Sequence, residues 1–264
     1  MIGYFQYRAG IGGYFFIRAL LYRYGYTDKP TPSSYWNEYH IPAEYSFPNF
    51  KKIPWHDTYG HKWYNWETGI GSTYKLERVK TYLVGQKQLW LDRIDSDCFI
   101  IDHQLYPNLK DTFNEVFPEH KNKLATFSIS TLNEDFAKFT KAINDIKSKY
   151  KECYNILGQD HAVYETGNFL DQREDVVKSD RFKICHNKID VRRMMRQHQN
   201  EHQYCDYFLD AEKILQGDSE TWNIVDNFYK KDSVIQKELF GDLCQNYLQK
   251  NQELYDKYHI FDEH

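Results

Sequence analysis

The apolar positions of this chain change period along its length. Ile2–Tyr7 (IGYFQY) is a short run of β-forming types, and Tyr14–Tyr24 (YFFIRALLYRY) is a longer bulky stretch suited to a buried helix. The spacing predicts a helix over Tyr74–Trp90, a strand over Cys98–Ile101 and a short helix over Asn108–Phe117 closed by Pro118. A strand over Leu124–Ile129 follows. Asn133–Tyr150 then reads as an amphipathic helix with Phe136, Phe139, Ile143 and Ile146 on one side and Asn133 as its cap. Ile189–Tyr204 reads as a charged helix and Tyr207–Leu209 as a brief strand, with helices over Glu220–Tyr229 and Val234–Tyr258. Strands alternating with helices predict an α/β fold: a central parallel sheet between two helical layers, α/β/α, in a single domain over 1–264.

One stretch breaks the alternation. Residues 29–72 hold Pro30, Pro32, Pro42, Pro48 and Pro54, five of the seven prolines, together with Trp36, Trp55, Trp63 and Trp66. Prolines this close together interrupt long elements, so 29–72 reads as an irregular, aromatic-rich insert or lid over one end of the sheet.

Composition narrows the classes. The 264 residues are 41% hydrophobic, 17% aromatic and 27% charged, too rich in rings for a disordered chain. The formal net charge of −4 gives no reason to expect nucleic acid or an anionic membrane. No apolar stretch is long enough for a membrane span, and no signal peptide is recognisable. Five separated cysteines without a CxxC pair read as reduced thiols, which predicts a cytoplasmic protein, or one of the host cytoplasm if the source is viral. Plentiful Tyr, Lys and Asn with scarce Ala suit an AT-rich genome such as that of a virus or phage.

The candidate chemistry begins after the first strand. Arg8, Ala9, Gly10, Ile11, Gly12, Gly13 and Tyr14 stand between strand and helix, where phosphate-binding loops sit. Glycine lets backbone N–H groups approach an anion, the helix N-terminus adds its dipole, and Arg8 adds a full charge. Tyr14 and Phe15 occupy the places where an ATP- or GTP-binding loop has Lys and then Ser or Thr, so hydrolysis of those nucleotides is not expected. A dinucleotide fingerprint fails because its third glycine falls on Phe15. A tight strand–helix turn without ligand is the bland alternative.

Four stretches together resemble the sulfotransferase family. Tyr7–Phe15 (YRAGIGGYF) stands where that family has its glycine loop. Cys98–Pro107 (CFIIDHQLYP) is similar to its strand ending in a catalytic histidine, here His103. Leu124–Thr140 is similar to the strand–helix unit that follows. Phe208–Leu254 is similar to the C-terminal portion, including Asp210–Asp218 (DAEKILQGD) and Asn246–Leu254 (NYLQKNQEL).

The resemblance implies a P-loop-like fold and metal-free binding of 3′-phosphoadenosine 5′-phosphosulfate (PAPS) by residues 8–14. It implies transfer of the sulfuryl group to a hydroxyl on a small molecule or carbohydrate. The family carries an Arg at the strand end and a Ser in the helix for the 3′-phosphate. Here the strand ends at Ser130-Thr131; Thr140 is the stand-in for the Ser, and Arg192 and Arg193, clustered with Arg196, are stand-ins for the cation or a solvated helix face.

Under that implication His103 is the general base and Arg8 neutralises charge on the bridging oxygen. A strand-end histidine bonded to backbone is the plain alternative for His103. His198 and His202, with Glu201 between them, do not form HExxH and read as a polar face; no metal site is expected, and self-association is left open. A competing reading is a non-catalytic binding or structural protein of the same fold in a viral or multiprotein assembly. A third is a phosphotransferase or glycosyltransferase with a related loop.

Overall fold

The computed structural model describes residues 1–7, 13–25, 50–52, 80–81, 83–85, 87–95, 97–102, 108–143, 184–186, 195, 199 and 202–261. The elements are β1 (Ile2–Tyr7), α1 (Gly13–Arg23), β2 (Phe50–Lys52), α2 (Lys87–Ile94), β3 (Asp97–Asp102), α3 (Leu109–Val116), a 3-10 turn (Pro118–His120) and β4 (Leu124–Ser130). Then come α4 (134–143), β5 (Ile184–His186), β6 (Tyr207–Asp210), α5 (Ala211–Leu215), α6 (Ser219–Tyr229), α7 (Lys237–Tyr258) and β7 (His259–Phe261). Five strands form one sheet in the order β2-β3-β1-β4-β6, and each pairing is parallel. β5 and β7 pair separately, also in parallel.

β1 is the central strand and is buried along its whole length. Its side chains alternate between two cores, as the pleat requires. Phe5 and Tyr7 face a cluster with Phe15, Phe16, Ala19 and Leu20 of α1 and with Leu215, Trp222 and Phe240 of the C-terminal helices. Ile2 and Tyr4 face a second cluster with Leu83, Trp90 and Ile94 and with Leu109, Phe113 and Val116 of α3. Phe5 stacks on Phe127 of β4 at 4.6 Å between ring centroids, and Phe16 stacks on Trp222 at 5.3 Å. Each fully buried ring of this size is worth about 1.5–3 kcal/mol of transfer free energy. Helices therefore cover both faces of a parallel sheet, as the alternation of elements predicts.

Four departures from the sequence reading have physical causes. Phe50–Lys52, inside the stretch read as an irregular insert, is an edge strand of the sheet, paired with β3. A three-residue edge strand tolerates prolines at 48 and 54 because neither lies inside the ladder; the rest of 29–72 lies outside the described residues. α5 is too short to show a helical period in sequence, and it starts because Asp210 accepts from the Glu212 amide. α7 begins at Lys237 rather than Val234. Lys230, left-handed at φ 53°, closes α6, and the Ser233 hydroxyl accepts from the Ile235 amide in the connection. Finally, β5 and β7, of three residues each, carry no alternation long enough to read.

Candidate functional site

β1 ends at Tyr7 and α1 begins at Gly13, so the glycine segment is what joins the central strand to its helix. Gln6 is in register with Asp102, the last residue of β3, on one side and with Ser128 of β4 on the other. The segments containing Arg8 and His103 therefore leave neighbouring strand ends. The helix after β1 packs in one core and the helix after β3 in the other. Adjacent parallel strands whose following helices lie on opposite faces mark a topological switch point, and open α/β sheets take ligands in the crevice beyond it.

α1 is set firmly against the sheet. Phe15, in its first turn, packs on Tyr247 of α7 at 4.2 Å, and Phe16 lies between Phe5 and Trp222. No acidic side chain stands in that first turn, so nothing there opposes an anion at the helix N-terminus.

β4 and α4 form the other flank. Asn133 accepts from the Asp135 and Phe136 amides, confirming it as the cap of α4, and Thr131 Oγ1 accepts from the Asn133 amide. Thr140 is buried and donates to the Ala137 carbonyl at 3.1 Å, so its one hydroxyl proton is used within its own helix. Gly13 and Tyr14 open α1. Arg8, Ala9, Gly10, Ile11, Gly12, His103, Arg192 and Arg193, with Arg196, lie outside the described residues.

A set of residues that sequence reasoning missed lies toward the C-terminal ends of β1 and β4. Gln6, Ser128 and Ser130 are fully buried, and Gln6 Oε1 and Nε2 and both serine Oγ atoms make no hydrogen bond. Alternation puts them on the face of Ile2, Tyr4 and Leu124, which is the α3 side. An unsatisfied buried polar group costs about 1–3 kcal/mol. Three neighbouring ones toward the C-terminal ends of β1 and β4 are a concentrated cost. The signal in sequence was a polar residue at the penultimate position of β1 and at alternate positions of β4, where buried parallel strands are normally apolar.

The acidic residues of the C-terminal portion do structural work. Asp210 caps α5, and Asp218 caps α6 by accepting from the Thr221 amide and hydroxyl. The Thr221 bonds hold the Asp218 carboxyl below its ordinary range, whereas burial pushes that of Asp210 up. Gly217, at φ 73°, makes the left-handed turn between the two caps. Asp206 joins β4 to the chain before β6, accepting from Lys110 Nζ at 2.7 Å and from the Thr126 amide and hydroxyl. Burial works to raise the Asp206 carboxyl, but those donors outweigh it and hold it below the usual carboxylate range.

His202 is exposed and lies against Phe208, with ring centroids 4.3 Å apart. Among the described residues no group of three His, Cys, Asp or Glu side chains is placed to hold a metal, and no helix is long and apolar enough to cross a membrane. Neither a scan of protein-family models nor searches of curated proteins and solved structures returned a match.

Proposed function

We propose that this protein is a sulfotransferase of P-loop-like architecture, acting with PAPS and without a metal. The observation that carries the reading is the register of Gln6 with Asp102, which sets side by side the ends of β1 and β3, the strands that precede the glycine segment and His103 in the chain. The resemblance in the order of four sequence stretches supplies the chemistry.

In this reading the amides of residues 9–13 and the first turn of α1 hold the 5′-phosphosulfate, with Arg8 beside it. A hydroxyl of the acceptor attacks the sulfur in line. The new oxygen–sulfur bond forms as the bond from sulfur to the 5′-phosphate oxygen breaks. The acceptor proton passes to the imidazole of His103, and adenosine 3′,5′-bisphosphate leaves. Such a step needs alignment and charge neutralisation more than covalent help from the protein. Thr140, Arg192 and Arg193 are the candidates for the 3′-phosphate; Thr140 must give up its bond to the Ala137 carbonyl to donate to it.

The test is transfer from ³⁵S-labelled PAPS to a panel of alcohols, phenols and glycosides. Wild-type protein labels at least one class. His103→Ala lowers the rate by about 10²–10⁴-fold, and Arg8→Ala also lowers it. Absence of labelling by the wild type on every acceptor class, together with no PAPS hydrolysis, overturns the reading and leaves a non-catalytic assembly role in its place.

A further inference from the structure

We draw no further inference here: the strongest candidate, the surface patch at the β6 edge of the sheet, where Tyr204 and Tyr207 are exposed and His202 lies against Phe208, carries nothing because nothing in the structure shows what covers it.

Discussion

Arg23 and Asp226 close the lower end of the fold with a two-pronged ion pair between the last turns of α1 and α6. Arg23 Nε lies 3.0 Å from one carboxylate oxygen and Nη2 2.6 Å from the other, and both side chains are close to nine-tenths buried. Tyr24 donates to the same carboxylate at 2.9 Å, and the guanidinium sits 5.1 Å from the Phe240 ring centroid. The pair ties the last turn of α1 to α6, beside the ring contacts that pack the same helix on the C-terminal portion.

Breaking that pair on one side leaves a buried charge without compensation. Arg23→Met is expected to cost about 3–5 kcal/mol in urea unfolding. Arg23→Met/Asp226→Leu recovers a good part of that loss, because both charges then go. A double variant no more stable than the single one contradicts this account of the pair.

Gly3 is required by a close approach rather than by backbone conformation. A Cβ there would meet the Tyr229 hydroxyl and the Phe5 ring, both buried. The Tyr229 hydroxyl is itself held by the Cys98 carbonyl at 2.8 Å and cannot swing aside without losing that bond. Gly3→Ala therefore destabilises by overpacking, by about 1–3 kcal/mol in chemical denaturation. An unchanged midpoint contradicts the packing at this point.

Acid stability depends on two carboxylates whose folded-state pKa values lie below their unfolded ones. Asp206 and Asp218 thus contribute stability that is present above the unfolded carboxylate pKa, near about 3.9, and is lost as pH falls through the lower folded values. Asp206→Asn is expected to weaken the protein at pH 7 and to flatten the decline below about pH 4. A parallel downward shift at all pH values would show that the charge of Asp206 is not what the fold uses.

Cys244, on α7 against the Ile214 carbonyl, has its thiol pushed up to about 12 by burial. At pH 8 almost none of it is thiolate, so iodoacetamide leaves it unmodified in the native protein and labels it on unfolding. Peptide mass spectrometry before and after denaturation reads the difference; rapid native labelling contradicts the burial.

The layered fold was legible because long-period signals carry it. The runs at Ile2–Tyr7, Cys98–Ile101 and Leu124–Ile129 became β1, β3 and β4, and Asn133 caps α4 as its position before an apolar run suggested. The edge strand at Phe50–Lys52 was hidden among prolines, since three residues carry no period of their own. The order of strands was not legible either. Which strands neighbour β1 depends on pairing between segments about 95 or more residues apart in the chain, as for Ile2 with Cys98, and local pattern says nothing about that. The polar side chains Gln6, Ser128 and Ser130 acquire meaning only once β1 and β4 lie side by side, because each alone is an ordinary strand residue.

The central claim is that the first strand–helix connection binds a phosphorylated adenosine. Calorimetric titration of the full chain with adenosine 3′,5′-bisphosphate, run in parallel on wild type and Arg8→Ala, tests it most directly. The account predicts saturable one-to-one binding by the wild type, weakened about tenfold or more in the variant at unchanged melting temperature. No heat at millimolar ligand, or equal binding by both proteins, contradicts it.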